Sequence, residues 1–481
     1  MPIPHEGLGK IECLCFTISF VPSSVIKKAN VLKVLKADFV CSKRTLNLSQ
    51  NDEFIAHMAE DGRRNPLQWE GGYWNSTPVW PREPDLAVIG TLAQLHLALH
   101  VPMALSDAAL TVGFFAGGAF NKLYLVSHAR SNTSYIFRVS LPVCPFFKTE
   151  SEAATLTHLR ANTSIPVPRV FAWDSSPDNE LGFEWILMEK IAGVPLLDIW
   201  RKIEWERKLV LIESLAGLVN QLGSHKFDRI GSLYFKSALT GCAGDLEEES
   251  AGEGTPEKQG PKSVAEERFR ATTANASPMD FAIGPIFSPI FYLDNRLYLP
   301  GNGGPYRYAS EWVRSEIEMQ LRWVKRGRIE GDRSYAKDFE KEAPEMETEC
   351  HRYLQILPSV FPYEECSSYR LHHGDLNLAN ILVSPGSFEI TGIVDWEMIN
   401  IVPLWKASDY PVFLQDIEPL DEEEPPIPSY EDVRGSGRVY AGSVGSQDPS
   451  TPLRYRHGAI ASCGGNFEQS RRCEEEAGVS V

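Results

Sequence analysis

This chain of 481 residues has no apolar run of the ~18 residues that a membrane helix requires. The nearest candidate, residues 11–26, is interrupted by Glu12, Pro22 and three serines, so no transmembrane segment is expected. As a signal peptide it lacks a basic start and a clear small-residue cleavage site. Basic residues are also in short supply. The chain has 47 Lys and Arg against 64 Asp and Glu, a net charge of −17. That balance argues against nucleic acid, or an anionic membrane surface, as the main partner. Paired cysteines are missing too. The nine cysteines, from Cys13 to Cys473, include no C-x-x-C and no Cys/His ligand spacing, and their number is odd. Neither a zinc site nor a disulfide framework is expected, and a reducing compartment fits.

What is present reads as globular: 43% hydrophobic and 23% charged residues. The length exceeds one ordinary core, so two lobes with appendages are expected. The most informative stretch is His373-Gly374-Asp375-Leu376-Asn377-Leu378-Ala379-Asn380, running on into Ile381-Leu382-Val383. After it comes Gly392-Ile393-Val394-Asp395-Trp396-Glu397. The first piece places an Asp and an Asn five apart in a loop before an apolar strand. The second ends another apolar strand, Ile390 to Val394, on an Asp. A hairpin of these strands would bring Asp375, Asn380 and Asp395 to one edge. Two of them offer oxygens to a hard cation, and the third offers a carboxylate to a substrate hydroxyl. Phosphoryl transfer needs this set. The competing reading is a turn-rich hairpin whose Asp and Asn satisfy local backbone.

Upstream, residues 1–109 read as an extension, partly irregular, with one helix over 85–100. From 110 the pattern turns to strands: Thr111 to Ala116, Leu123 to Ser127 and Tyr135 to Leu141. Gly117 and Gly118 sit in the turn between the first two, where backbone N–H groups can approach phosphate oxygens. A plain tight turn is the alternative. A helix over 151–160 and strands over 170–173 and 185–189 follow. Glu152 has two readings: an ion pair with Arg138 of the third strand, or the closing residue of a Thr149–Glu152 capping box. Met188 is core or part of an adenine contact made by the backbone around Ile186–Gly193. Helices are expected over 205–222, from Ser310, and over 335–357. Residues 241–278 are poor in aromatics and read as a disordered insertion. The tail, 416–481, is acidic and then Gly/Ser-rich, and is also expected to be disordered.

H-G-D-x-x-x-x-N-I-L followed by I-V-D-W-E resembles the aminoglycoside phosphotransferase and choline kinase-like family, its fungal members in particular. Gly117-Gly118-Ala119-Phe120-Asn121-Lys122 and Ser151-Glu152-Ala153-Ala154-Thr155 are similar to the family's loop and helix strings. The resemblance covers roughly 110–415. It implies an α+β, bilobal, protein-kinase-like fold. A small antiparallel-sheet N-lobe over 110–190 would precede a mainly helical C-lobe over 191–415. It further implies ATP and Mg²⁺ as cofactors and a small-molecule acceptor. Asp375 would be catalytic, and Asn380 and Asp395 would hold the metal. His373 and Asp409 would shape the loop. Gly117, Gly118, Lys122, Arg138, Glu152, Met188 and Glu189 would contact ATP. Arg138 departs from the Lys that kinases place on this strand, and an Arg cannot copy that point contact.

Two other functions compete. A pseudokinase would use the same fold to bind without turnover. A protein kinase fits less well, because H-G-D replaces H-R-D, D-W-E replaces D-F-G, and no A-P-E follows. The expected compartment is the cytoplasm. The alternative is the mitochondrion, on the strength of basic residues such as Lys27, Lys28, Lys33 and Lys36 near the start.

Overall fold

The computed structural model describes residues 67–70, 77–100, 110–128, 133–241, 280–299, 303–330, 336–361 and 368–414. The tail, nearly all of the insertion and most of the extension lie outside these. The described residues fall into two compact units, one holding 67–202 and 221–409 and the other 203–220 and 410–414.

In the first unit, β1 (Trp69–Glu70) and β2 (Thr77–Pro78) form a short antiparallel ladder. Helix α1 (Leu86–Leu97) follows. Asp85 starts it, its carboxylate accepting from the N–H groups of Ala87 and Val88 at 2.8 and 3.4 Å. Ile89, Leu92, Ala93 and Leu97 recur at helical spacing and are buried.

Next come β3 (Leu110–Gly117), β4 (Asn121–His128), β5 (Ser134–Ser140), α2 (Phe147–Asn162), β6 (Val170–Asp174) and β7 (Glu184–Glu189). Their strands make one antiparallel sheet in the order β3-β4-β5-β7-β6. The central β5 is buried on both faces, so its alternating side chains enter two cores. Tyr135, Phe137 and Val139 join Ile89, Leu92 and Leu97 of α1. Ile136 packs on the other face with Ile186 and Met188. Alternation places Arg138 on the face of Ile136. The extension helix is therefore part of the core, because without it one face of the sheet would lack its cover.

Helix α2 starts at Phe147, ahead of the expected Ser151. Its N-cap residue, Phe146, supplies no side-chain cap. Glu184, from β7, supplies one from a distance: it accepts from Phe146 N at 2.9 Å and from Thr149 Oγ1 at 2.5 Å. Thr149 thus lies inside the helix, and Glu152 does not close a capping box.

After β7 the chain turns through Gly193, at φ 141°, into β8 (Val194–Pro195). A Cβ on Gly193 would sit 2.5 Å from Thr391 Oγ1 and 3.0 Å from the Val383 carbonyl oxygen, so glycine is required there. Helix α3 (Trp205–Ser224) comes next. Its stretch in the second unit buries Leu211, Ile212, Leu215 and Ala216. Then follow β9 (Gly231–Phe235), β10 (Phe281–Gly284), α4 (Ala309–Glu330), α5 (Ala336–Val360), β11 (Arg370–His372), β12 (Ile381–Val383), β13 (Ile390–Ile393), β14 (Asn400–Val402) and α6 (Leu404–Ala407).

The helical half also contains two small antiparallel sheets, β10-β9-β14-β11 and β13-β12-β8. The first was not expected. Its strands are three to five residues long, too short for a clear alternating pattern. Phe235 and Phe281 are partners in it, so the insertion connects two neighbouring strands. A loop closed this way costs stability only with the logarithm of its length. Antiparallel sheets combined with helices make the fold α+β, and the order hairpin, strand, helix, two strands is that of a protein-kinase-like N-lobe.

Candidate active site

The loop between β11 and β12 carries His373 to Asn380. His373 is buried, with Nε2 3.4 Å from the Val394 carbonyl oxygen and its ring 4.7 Å from that of Trp396. Burial lowers its pKa to about 4, against a smaller opposing pull from the Val394 carbonyl. The imidazole is therefore neutral near pH 7, and its contacts link the loop to the end of β13.

Asp375 is exposed. Asn377 Nδ2 donates to its Oδ1 at 2.9 Å. Asn380 Nδ2 donates to the Asp375 carbonyl at 2.9 Å and to its Oδ2 at 3.2 Å. These two bonds fix the Asn380 amide, because only its NH₂ group can serve both acceptors. Its Oδ1 has no protein partner among the described residues. The Val394 N–H donates to the Asn380 carbonyl at 2.9 Å, so the loop and the end of β13 are held together.

Beyond β13, Asp395 adopts φ 62°. A left-handed conformation at a non-glycine residue costs on the order of 1–3 kcal/mol and persists where its surroundings hold it. Here Arg138 does the holding. Its Nη1 lies 3.2 Å from Asp395 Oδ1 and 2.8 Å from Glu152 Oε1, and its Nη2 lies 2.8 Å from Glu397 Oε2. A second cation completes the cluster. Lys148 is 1% exposed, and its Nζ lies 2.9 Å from Glu397 Oε2. The same Nζ donates to Asn121 Oδ1 at 2.6 Å and to Ser140 Oγ at 3.1 Å. Asn121 Nδ2 donates to both Glu397 oxygens, at 3.1 and 3.0 Å.

Three carboxylates thus face two cations. Burial works to raise the pKa of Glu397, but Lys148 and Arg138 outweigh it and take it down to about 2. Burial raises Glu152 to about 7, with Arg138 and Lys148 opposing. Burial, and then the charge of Glu397, raise Asp395. Glu397 is therefore the firmly ionised member, while Glu152 and Asp395 take up a proton more readily, and of the three carboxylates Asp395 is the most open, at 36% exposure.

Other expected residues are placed differently. Gly117 and Gly118 close the β3–β4 hairpin, where the Gly118 N–H donates to the Asn121 carbonyl at 2.9 Å. A Cβ on Gly118 would meet nothing within 4 Å, so its backbone is open to approach. Lys122, expected to aid phosphate contact, is engaged by the extension instead. Its Nζ is 2.5 Å from Glu83 Oε1 and 4.5 Å from the Trp80 ring centroid. Met188 is core. Glu189 accepts from Arg169 N at 3.2 Å and pairs with Arg160 at 3.4 Å. Asp409 does not open a helix. It follows α6 and pairs with Lys406 at 2.6 Å.

Lys148, Glu397 and Asn121 were not singled out from the sequence. Glu397 and Asn121 lay inside motif stretches, where they passed as motif text. Lys148 lay in a turn of helix that no cap marked, so no signal pointed to it.

Among the described residues, no group of three or more His, Cys, Asp or Glu forms a metal cluster. Two hard oxygens are nevertheless available, Asn380 Oδ1 and the second oxygen of Asp395. They suit a hard cation such as Mg²⁺, which takes few protein ligands and fills its shell with phosphate oxygens and water.

Residues 111–286 match the description "Phosphotransferase enzyme family". The matched segment includes the glycine hairpin, Arg138, Lys148 and Glu152, and ends before the loop of His373. A subtelomeric hrmA-associated cluster protein of Aspergillus fumigatus is 25% identical over 365 residues, covering 68% of this chain and 66% of that protein. The "Altered inheritance of mitochondria protein 9, mitochondrial" of Komagataella phaffii is 26% identical over 372 residues, covering 70% and 54%. The chain thus spans about two thirds of the first relative and about half of the second. Among solved structures, a Plasmodium vivax ethanolamine kinase aligns at 12% identity and TM-score 0.38, covering 83% of this chain and 81% of that one. Among the described residues, no helix is long and apolar enough to cross a membrane.

Proposed function

Because residues 111–286 carry the phosphotransferase enzyme family's domain, within the aminoglycoside phosphotransferase and choline kinase-like group, we propose that this chain transfers the γ-phosphoryl group of ATP to a hydroxyl of a small molecule. One observation carries the reading. An exposed Asp375 shares a loop with Asn380, and that loop is bonded to the strand end that presents Asp395 to buried Arg138.

Asp375 orients the acceptor hydroxyl and takes its proton onto a carboxylate oxygen. A new bond forms between the acceptor oxygen and the γ-phosphorus, the bond to the bridging oxygen breaks, and ADP leaves with that electron pair. The transition state is loose, so the proton moves late. Asn380 and Asp395 would hold Mg²⁺, which when bound spreads the phosphate charge. Asn377 and Asn380 fix the Asp375 carboxylate, and neutral His373 holds the loop without exchanging protons. Arg138 acts here by fixing Asp395 and α2. Its nitrogens already face three carboxylates, so a direct clamp on the phosphates requires one of these pairs to open.

The three ion pairs of Arg138 favour one rival, a protein that binds nucleotide without turnover. The test is ATP consumption against a panel of small alcohols, with Asp375→Ala and Asp395→Ala as controls. The proposal expects acceptor-dependent turnover that both variants lose. Nucleotide binding with no Asp375-dependent turnover would favour the rival. For the compartment, the name carried by the yeast relative adds weight to the mitochondrial alternative.

A further inference from the structure

Lys148 is a fully buried ammonium that the mechanism above does not use. Burying such a charge is costly unless it is paired and hydrogen-bonded, so its surroundings must supply partners. They form a closed ring. Lys148 Nζ reaches Asn121 Oδ1 at 2.6 Å and Glu397 Oε2 at 2.9 Å, and Asn121 Nδ2 returns to Glu397 at 3.0 Å. The ring members come from three places. Asn121 begins β4 at the base of the glycine hairpin, and its carbonyl accepts from Gly118 N. Lys148 lies in the first turn of α2, the helix that carries Glu152. Glu397 stands two residues after Asp395 and touches Arg138 Nη2 at 2.8 Å.

We propose that Lys148, Glu397 and Asn121 are positioning residues that lock the glycine hairpin, α2 and Asp395 into one arrangement for binding the metal-bound triphosphate. This rests on the phosphotransferase reading and names a part of the same site. Two physical consequences follow. Lys148 shares Glu397 with Arg138, whose Nη1 restrains Glu152 and Asp395. The ring also couples the hairpin to the segment that presents Asp395, because its bonds run at 2.6 to 3.0 Å between largely buried groups. Low local dielectric strengthens such bonds, and it makes a half-broken network worse than none.

The test uses full-length protein and calorimetric binding of ATP with and without Mg²⁺, which needs no knowledge of the acceptor. Wild-type protein that does not bind MgATP would sink the phosphotransferase reading itself. With wild-type binding established, the double variant Lys148→Met/Glu397→Gln removes both charges and leaves neither unpaired, so it avoids the main cause of misfolding. It is expected to stay folded, to bind MgATP at least tenfold more weakly, and to lose most of the gain that Mg²⁺ gives over ATP alone. A folded double variant that binds MgATP like wild type overturns the proposal, since a merely structural ring would leave binding intact. Hydrogen exchange on the wild-type protein decides independently of any variant. MgATP is expected to protect 117–121, 147–152 and 394–398 together, and protection confined to one of them refutes the coupling.

Discussion

Glu184 offers a direct physical test of how the N-lobe is assembled. It is fully buried, and it caps α2 through Phe146 N and Thr149 Oγ1. Burial raises its pKa from 4.5 to about 7, although the bonds from Thr149 and Phe146 and the charge of Lys148 pull it down. The folded state therefore holds a proton that the unfolded chain has already released between these pH values. The unfolded state binds fewer protons across that window, so stability falls as pH rises through it. A shift of this size corresponds to about 3 kcal/mol lost between pH 4.5 and 7. Glu184→Gln removes the ionisation and keeps an acceptor for Phe146 N. Its amide can also donate to the Thr149 hydroxyl. The variant is expected to match wild type near pH 4.5 and to be more stable by up to about 3 kcal/mol at pH 8. Urea unfolding of both proteins at half-unit pH steps measures this. Parallel stability curves from pH 5 to 8 would mean that Glu184 is ionised and compensated in the fold, and the reasoning would fail.

Further expectations follow from the same geometry. Gly193→Ala places a methyl against Thr391 and Val383 at positive φ and should cost about 1–3 kcal/mol, seen as a lowered unfolding midpoint. His373, with a pKa near 4, should contribute no inflection to the pH–rate profile between pH 6 and 8, and NMR titration of its ring should show none there either. Asn380→Ala should weaken MgATP binding while leaving ATP binding in EDTA nearly unchanged, since its Oδ1 is assigned to the metal. Equal losses in both conditions would contradict that assignment.

The site was legible where its chemistry is local. Asp375, Asn380 and Asp395 are spaced by one loop and one hairpin, so sequence spacing carries their arrangement. The strands of the large sheet were legible because their alternation is long. What escaped was built by distant partners. Nothing near Phe146 says that Glu184 will cap α2, so the helix start was misplaced. The ring of Lys148, Asn121 and Glu397 joins positions 121, 148 and 397, and no local pattern encodes such a meeting. The contacts of Lys122 escaped as well, because Trp80 and Glu83 come from a segment read as irregular.

The central claim is that the exposed carboxylate of Asp375 serves as the base of a phosphoryl transfer. It is tested most directly by acceptor-dependent ATP turnover in wild type and Asp375→Asn, once the alcohol panel has supplied an acceptor. Asp375→Asn should bind MgATP as wild type does, because the residue is assigned to the acceptor side. Its turnover should drop by roughly 10²–10⁴, the usual contribution of a general base. Turnover in Asp375→Asn equal to wild type, with the same acceptor, would contradict the account.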